Sequence, residues 1–596
     1  MSTHKDKMAL RWSTLLRRNL LPALVDSLLV TSVPFLLCLL NQNWIYTKYS
    51  NLDEWMYVGL GYHYLDPIFY ATNYKIGRLP WVLLEAVVRG SFSPLVSSWI
   101  LAFGVLALGN IAFYFALRIH FGRLPALFAS LFLAGMTFMH ANGGADYHNT
   151  LAGAFYCLSM LLAAKCAREG CLARDLVFFG ASLALTVHTN PVFINLLPVL
   201  LAQCLISCRV SDRAFPPLVP SAFCLAFGAL AVTVLLGFVN FAIGRQFLFF
   251  SEELELLRKF VADSSQQKQW WEPWSSFWFL KFPYMGLFLA GALLSSATLI
   301  IAVLRRSLSS NYAHATLYAA ANLCAILIWT FWQSIGQTAF EPSYFAYPLG
   351  FPLAGAIAAA LATGISREIR FVPLTLAALC FSAAIIAAVH KTDLVTSFVG
   401  AFSWPLGARV AVAFSIAFAA LILLRWSLWF APLAAVALCT ANSLAVYEKL
   451  PYITTPCNIG RDAYFTILDA SSALRNSMPR GARAFVFSEH GNTLTSGAAC
   501  KGWEASLGWV QGAIAATGFE DVAPYWSEKT LDTVELDRWK QVVATKALIG
   551  FLTYEPARVA VLRGKLEAAG GTPGDVRAVM LHSGDTALPF YVMPLN

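Results

Sequence analysis

Charged residues are scarce in this sequence of 596 residues. Only 13% of them are Asp, Glu, Lys or Arg, whereas soluble domains carry about twice that fraction. The long apolar runs also lack the alternation of polar and apolar residues that is typical of membrane β-barrels. Because only helices and closed barrels satisfy the backbone in lipid, the sequence predicts a mainly α, polytopic helical membrane protein.

The motifs of several enzyme classes are missing as well. The sequence has no Walker loop, no GxGxxG motif after a strand, no HExxH, no CxxC and no internal repeat. Of its twelve cysteines, ten lie in or beside the apolar region and are interpreted as small buried residues. Cys457 and Cys500 lie beyond it, and a disulfide between them is one alternative if they face an oxidising compartment.

The net charge of +9 does not indicate a nucleic-acid partner, because no basic patch is interleaved with aromatic residues. Lys and Arg lie largely in the short connections between apolar segments, as the positive-inside rule predicts for cytoplasmic loops. The basic N-terminus and the run from Leu20 to Leu40 are interpreted as an uncleaved first span, because no small-residue cleavage site precedes Asn41.

About thirteen membrane spans are predicted from the lengths of the apolar runs. The predicted spans lie near 20–41, 95–117, 124–141, 149–166, 175–188, 190–208, 218–243, 283–304, 313–335, 346–364, 371–390, 405–424 and 428–447. The fifth and sixth are alternatively one long helix broken at Asn190-Pro191. An odd number of spans with a cytoplasmic N-terminus places the C-terminus outside, together with two long outer loops at 42–94 and 244–282.

The composition changes after the last span. Residues 1–449 are predicted to form the membrane domain, and residues 450–596 a C-terminal extracytoplasmic α/β domain. A helix is predicted at 461–476, and strand-like runs occur at 482–487, 547–551 and 576–581.

An acidic pair, Asp53-Glu54, follows the first span, where a charge is costly unless it faces water or binds a ligand. One interpretation is a helix cap before a short interfacial helix. The alternative is a general base or metal ligand at the membrane boundary. Adjacent helical residues point about 100° apart, so Asp53 is taken as catalytic and Glu54 as supporting.

A polar turn lies between the third and fourth predicted spans. It contains Gly143-Gly144, Asp146 and His148. Carboxylate and imidazole groups suit a divalent cation such as Zn or Mn, and less so Mg, so Asp146 and His148 are candidate metal ligands. The equally weighted alternative is a polar turn that caps the next helix.

Two cations end the first outer loop. Lys75 and Arg78 are three residues apart, on one face if this stretch is helical, and could hold a phosphate or a pyrophosphate. The alternative is that both side chains extend to the lipid headgroups. Four further polar residues at outer span ends are candidate substrate-binding groups: His188, Asn190, Glu341 and Tyr344.

This arrangement resembles the GT-C superfamily of membrane glycosyltransferases. It is most similar to the family 39 type, which includes protein O-mannosyltransferases and aminoarabinose transferases of lipid A. The likeness rests on Asp53 in a long first outer loop, Asp146 after the third span, the number of spans and the C-terminal α/β domain. The sequence departs from many relatives at Tyr74–Pro80, where they carry a His-Pro-Pro-like stretch, and at Ser343-Tyr344, where an Arg-Tyr pair is common.

The resemblance implies an inverting transfer of a sugar, hexosyl or pentosyl, from a polyprenyl-phosphate donor on the outer face of the membrane. It makes Asp53 the general base for the acceptor hydroxyl, assigns Asp146 to orienting substrate or binding metal, and places Lys75 and Arg78 near the donor phosphate. The expected partners are the polyprenyl-phosphate sugar, membrane lipids and a lipid, glycan or protein acceptor, and the expected location is a bacterial inner membrane facing the periplasm. A transporter or flippase, a lipid-linked glycan polymerase or ligase, and an inactive scaffold are the alternatives.

Overall fold

The computed structural model describes most of the first two thirds of the chain and part of the tail. The described residues are 21–36, 38–39, 45, 52–66, 73–136, 139–140, 147–210, 218–262, 310–334 and 343–365, parts of 288–300 and 467–476, 484–488, and most of 531–595. The predicted spans at 371–390, 405–424 and 428–447 lie outside these residues, as do Asp146 and Glu341.

In the described part of the N-terminal two thirds, helices joined by turns make up the regular structure. Its helices are α1 (Leu21–Leu36), α2 (Leu52–His63), α3 (Leu79–Ser91), α4 (Pro94–Phe121), α5 (Arg123–Gly135), α6 (Asn149–Glu169), α7 (Ala173–Thr189), α8 (Pro191–Val210), α9 (Leu218–Ala242), α10 (Ser251–Ala262), α11 (Ser310–Ser334) and α12 (Gly350–Ile365). Five of the described helices, α4, α6, α8, α9 and α11, are long and apolar enough to cross a membrane. The chain is thus mainly α with several apolar helices, as predicted.

The fifth and sixth predicted spans are separate helices that meet at one residue. Helix α7 ends at Thr189, Asn190 is extended with φ −150° and ψ 109°, and α8 begins at Pro191 with a 3₁₀ turn to Leu196. The Asn190 side chain accepts from the backbone N–H of Val192 at 3.0 Å. The break follows because Pro191 cannot donate to the helix ladder, and Asn190 caps the new helix instead.

Helices α7 and α9 pack so closely that only glycine fits at their contact. A Cβ atom added at Gly180 would lie 2.0 Å from the carbonyl oxygen of Leu225, and one added at Gly228 would lie 1.9 Å from that of Val177. Small residues at helix crossings are the usual means of bringing membrane helices together. His188 of α7 and Thr233 of α9, farther along the same pair, have Nε2 and Oγ1 atoms 2.8 Å apart.

The two segments predicted as outer loops, 42–94 and 244–282, contact each other and are called the outer segments below. Arg245, just after α9, donates to the carbonyl oxygen of Tyr64 at 3.2 Å and to that of Asp66 at 2.5 Å, both just after α2. The Tyr64 hydroxyl also donates to Oδ1 of Asn240 at 3.3 Å. This set of contacts, the Arg245 clamp, holds the end of α2 against the turn between α9 and α10.

The described tail residues form a mixed sheet with helices. Strands β1 (Ala484–Ser488), β2 (Leu548–Leu552), β3 (Arg577–Ser583) and β4 (Thr586–Met593) lie in the order β1-β2-β4-β3. The β1–β2 pair is parallel, and β4 pairs antiparallel with β2 and β3. Helices α13 (Leu536–Ala544) and α14 (Ala557–Ala568) precede and follow β2. All three runs that were predicted as strands fall on strands. Phe485 and Phe487 of β1 and Ile549 and Phe551 of β2 pack with Trp539 in the core of the tail.

Candidate functional site

A short 3₁₀ turn, Tyr74–Gly77, positions the two predicted cations of the first outer loop. Asn73 caps this turn, since its Oδ1 accepts from the backbone N–H of Lys75 at 3.0 Å. Helix α3 begins directly afterwards with Pro80 in its first turn, a position that proline favours. Arg78 lies between the turn and the helix. The two elements therefore fix the position of its Cα atom.

The Arg78 guanidinium reaches three other parts of the chain. Its Nη1 lies 2.7 Å from the Tyr57 hydroxyl of α2, and 2.8 Å and 3.0 Å from Nε2 and Nδ1 of His148, which immediately precedes α6. Its Nε donates to Oε1 of Glu253, in the first turn of α10, at 3.2 Å. We call Tyr57, Arg78, His148 and Glu253 the Arg78 cluster. It joins the two outer segments to the start of a membrane helix.

Burial and charge set the protonation of this cluster. Burial disfavours the charge on Arg78, but Tyr57 and Glu253 outweigh it and hold the pKa of Arg78 well above its usual value. Burial and the positive charges of Arg78 and Lys75 lower the pKa of His148 well below its usual range. Since a guanidinium can only donate, the neutral His148 accepts from it through its unprotonated ring nitrogen. Burial raises the pKa of Glu253, and Arg78 offsets part of that effect.

Lys75 lies beside the Arg78 cluster and is buried. Its Nζ atom donates to the Tyr74 hydroxyl at 2.7 Å and lies 4.3 Å from the centroid of that ring. The Cζ atom of Arg78 lies 5.7 Å from the same centroid. The two cations therefore converge on one tyrosine ring, whose negative face favours positive charge. The structure brings Lys75 and Arg78 together at this ring, and their role in binding a phosphate stays a prediction.

The acidic pair lies at the start of α2. The helix begins at Leu52, so position 53 lies inside its first turn and not at a cap before the helix. Position 53 is one turn before Tyr57, a spacing that puts two residues on one face of a helix. Glu54 is buried. The acidic pair thus belongs to the helix that supplies Tyr57 to the Arg78 cluster.

The predicted metal ligands are only partly described. The ring of His148 faces the Arg78 guanidinium, and a fixed positive charge at that distance opposes the binding of a second cation. No group of three or more His, Cys, Asp or Glu residues in the described ranges could hold a metal ion. His148 as arranged here does not fit a metal ligand, and the role of Asp146 stays a prediction.

Two of the four lower-ranked candidates have described side chains. His188 contacts Thr233, and its ring lies 5.0 Å from that of Phe249. Asn190 donates to Oδ1 of Asn149 at 2.6 Å and is buried. Both therefore join helices in this arrangement. Of the other two, Tyr344 lies in the 3₁₀ turn Ser343–Leu349, and its side chain is outside the described set.

Sequence reasoning did not assign Tyr57 or Glu253 to the site. Tyr57 follows Asp53 by one helical turn, a periodicity that could have indicated a shared face. Glu253 lies 175 positions after Arg78, and the segment 251–259 reads as an amphipathic surface helix. No local pattern indicates its partner.

Comparison with known proteins yields likeness in structure only. No protein-family model and no curated protein matches this chain. ArnT from Cupriavidus metallidurans bound to undecaprenyl phosphate is 12% identical, with a TM-score of 0.52 over 97% of this chain and 98% of that chain. ArnT from the same organism in the apo state is 12% identical, with a TM-score of 0.47 over 91% and 93%.

A third solved structure, the archaeal oligosaccharyltransferase AglB from Archaeoglobus fulgidus in complex with an inhibitory peptide and a dolichol-phosphate, is 13% identical. Its TM-score is 0.41 over 96% of this chain and 74% of that chain. The chain matches the first of these ArnT structures along almost its full length. The chain therefore has the fold of that ArnT structure, in agreement with the predicted helical membrane architecture.

Proposed function

We propose that this protein is an inverting glycosyltransferase that moves a sugar from a polyprenyl-phosphate donor to a hydroxyl of a lipid, glycan or protein acceptor. The observation that carries the proposal is the pair of cations formed by the buried Lys75 and the half-buried Arg78, next to the helix that begins with Leu52 and Asp53. The membrane fold shared with an ArnT structure that holds undecaprenyl phosphate supports the choice of donor.

Arg78 and Lys75 bind the donor phosphate in this proposal. Arg78 stays charged at every physiological pH, and its planar guanidinium matches the geometry of phosphate oxygens. His148 and Tyr57 fix the position of Nη1, so the guanidinium needs no reorganisation when charge develops on the leaving group. Lys75 adds a second positive charge from the same loop.

Asp53 is the proposed general base. The acceptor hydroxyl gives its proton to the Asp53 carboxylate, and its oxygen forms a bond to the anomeric carbon. The bond from that carbon to the phosphate oxygen breaks, and the electron pair leaves with the phosphate. A single base and a stabilised leaving group suffice for inversion, whereas a glycosidase requires two carboxylates. Glu54 supports the base from the next position of α2.

The outer-face location follows in this proposal from the charge distribution of the loops. The connections between α4 and α5, α6 and α7, and α8 and α9 are basic, and the Arg78 cluster lies at the opposite ends of these helices. Basic connections are typical of the cytoplasmic side. The sugar is therefore transferred on the extracytoplasmic side, in a bacterial cell the periplasm.

Purified full-length protein in lipid nanodiscs tests the proposal. The protein is supplied with radiolabelled polyprenyl-phosphate sugars and a crude envelope acceptor, with and without EDTA. We expect wild type to transfer label, Asp53→Asn to lose about 10²–10⁴-fold in rate and Arg78→Gln about 10²–10³-fold. Lys259→Gln is the control, since Lys259 is an exposed cation of the second outer segment, on the helix that carries Glu253.

A binding measurement separates the two roles. Undecaprenyl phosphate should bind to wild type and to Asp53→Asn equally, and more weakly to Arg78→Gln. Full transfer by Asp53→Asn would exclude the proposed base, and unchanged binding by Arg78→Gln would exclude the phosphate site. The protein is also reconstituted into sealed vesicles. Movement of the labelled lipid across the vesicle membrane without sugar transfer would favour the flippase alternative.

A further inference from the structure

Four cysteines gather at the end of the helices that is opposite to the Arg78 cluster. Cys166 is in the last turn of α6, Cys171 is in the connection to α7, and Cys204 and Cys208 are one turn apart near the end of α8. We call these four residues the cysteine cluster. Cys166, Cys204 and Cys208 are buried, and Cys171 is half-buried, so a small reagent in water can reach it.

Two sulfur atoms of the cluster are within contact distance of each other. The Sγ atoms of Cys171 and Cys208 lie 3.5 Å apart, within the range of a sulfur hydrogen bond. The Sγ atom of Cys204 lies 4.0 Å from the carbonyl oxygen of Ala163. No set of three ligating residues suited to a metal ion occurs in the described ranges. The 3.5 Å contact makes Cys171 and Cys208 a pair of neighbouring thiols.

Cys171 is the more reactive member of that pair. Hydrogen bonds from Cys166 and Cys208 lower the pKa of the Cys171 thiol, and burial and Asp175 oppose them in part. Asp175 is itself paired, because its Oδ1 lies 3.0 Å from Lys165 Nζ and 3.7 Å from Arg174 Nε. A thiolate next to a second thiol and open to water is the usual setting of an oxidation-sensitive cysteine.

We propose that Cys171 and Cys208 form a thiol oxidation site, at which a hydroperoxide converts the two thiols into a disulfide. The Cys171 thiolate attacks the peroxide oxygen, the O–O bond breaks with loss of hydroxide, and a sulfenic acid forms. The Cys208 sulfur then attacks the Cys171 sulfur, and the Cys208 proton leaves with the hydroxyl group as water. The cysteines lose two electrons, the peroxide gains them, and a dithiol reductant reverses the reaction.

The disulfide would connect the α6–α7 turn to α8. At the opposite ends of these helices, Asn149 begins α6 and Asn190 directly precedes α8. The Asn190 side chain donates a hydrogen bond to Oδ1 of Asn149 at 2.6 Å. Oxidation would therefore constrain the same two helices at both ends. The inference does not depend on the proposed glycosyl transfer, because it concerns residues that the transfer does not use.

Thiol counting by mass spectrometry tests the inference. The test uses a full-length variant with Cys457→Ser and Cys500→Ser, so that these two cysteines cannot contribute. The variant is treated with hydrogen peroxide, denatured, alkylated with N-ethylmaleimide and weighed. We expect a loss of two alkylated thiols and their return with dithiothreitol. Cys171→Ser and Cys208→Ser should each abolish the paired loss of thiols. Cys157→Ser removes a buried thiol of α6 outside the cysteine cluster, and this variant should still show the paired loss.

Three results would overturn the inference. Retention of all thiols in the peroxide-treated protein would show that the pair does not oxidise. A paired loss that persists in Cys171→Ser would assign the disulfide to other residues. A gain of oxygen atoms without a loss of two thiols would show oxidation of single cysteines. Size-exclusion chromatography of each variant confirms that the comparison is made on folded protein.

Discussion

The Nη1 atom of Arg78 lies 2.8 Å from Nε2 of His148, although the two residues are 70 positions apart in the sequence. The contact connects the end of the first outer segment to the start of membrane helix α6. Because the guanidinium can only donate, the contact requires a neutral imidazole. The protonation of His148 therefore determines whether the Arg78 cluster keeps its geometry.

We expect His148 to make the stability of the protein depend on pH. Its pKa is lowered in the folded state, so its contribution to stability is fully present above the unfolded pKa of about 6.5 and is lost as the pH falls below it. Between pH 7.5 and 5.5 the loss approaches about 1.4 kcal/mol. Thermal unfolding in detergent should show a lower midpoint for wild type at pH 5.5.

His148→Gln provides the comparison, because glutamine can still accept from Arg78 but does not titrate. The fall in midpoint between pH 7.5 and 5.5 should be smaller in this variant than in wild type. The pKa of Glu253 is raised, so this residue lowers the stability as the pH rises, which is the opposite of the effect of His148. Glu253 is present in both proteins, so its contribution does not distinguish them. Equal pH dependence in the two proteins would contradict the assignment to His148.

Gly77→Ala should weaken the contact between the two outer segments. A Cβ atom at this position would lie 3.1 Å from both Cβ and Oε2 of Glu253, so α10 would have to move away from the Tyr74–Gly77 turn. We expect a loss of about 1–3 kcal/mol, as for other overpacked sites, together with slower transfer. Differential scanning fluorimetry and the transfer assay measure the two effects.

Gly90→Ala is the matched control for that substitution. Gly90 lies in α3, and an added Cβ would meet nothing within 4 Å. Because alanine favours the helix over glycine, the unfolding midpoint should stay the same or rise slightly. A fall as large as that of Gly77→Ala would mean that the loss is not specific to the contact with Glu253.

Gly228→Ala should disrupt the packing of α7 against α9. The added Cβ would lie 1.9 Å from a backbone carbonyl oxygen, which cannot rotate away as a side chain does. We expect a strongly reduced yield of monodisperse protein and loss of the His188–Thr233 contact. Gly104→Ala, where the nearest atoms lie at 4.0 Å, should purify like wild type. Equal yields of both variants would contradict the predicted close approach.

Asp26→Asn should destabilise the opposite end of the bundle. Both carboxylate oxygens of the buried Asp26 accept from Arg123, at 2.7 and 2.8 Å, and Oδ2 also accepts from the Tyr114 hydroxyl at 2.5 Å. An amide offers a single acceptor oxygen, so at least one donor loses its partner. Since Arg123 is 49% exposed and can turn to water, we expect a loss of about 2 kcal/mol. Asp537→Asn, at an 83% exposed carboxylate, should have no measurable effect.

The helices were predictable because their apolar runs are long and continuous, and α4, α6 and α8 begin within one residue of the predicted spans. The three strand runs of the tail were predictable because their apolar residues are short, β-favouring stretches between polar ones. Lys75 and Arg78 were predictable as neighbours because they share one loop. Glu253 was not, since its contact with Arg78 depends on how α10 folds back over that loop and not on any local pattern.

The turn that Asn73 caps is a second feature that the sequence predicts only in part. An asparagine before a helical turn is a recognisable signal, but here it fixes a 3₁₀ turn of four residues where the sequence suggested a continuous helical face. Lys75 and Arg78 approach Tyr74 because of that tighter turn. Side-chain distances of this kind depend on the exact path of the backbone, which periodicity does not specify.

The Arg245 clamp has a consequence for protein engineering. Arg245 binds the carbonyl oxygens of Tyr64 and Asp66, and Glu253 of the same segment binds Arg78. The two outer segments therefore form one module, although α4 to α9 separate them in the sequence. A chimera that receives either segment alone from a relative would leave buried charges without their partners. Exchange of substrate specificity between relatives should require that both segments be transplanted together.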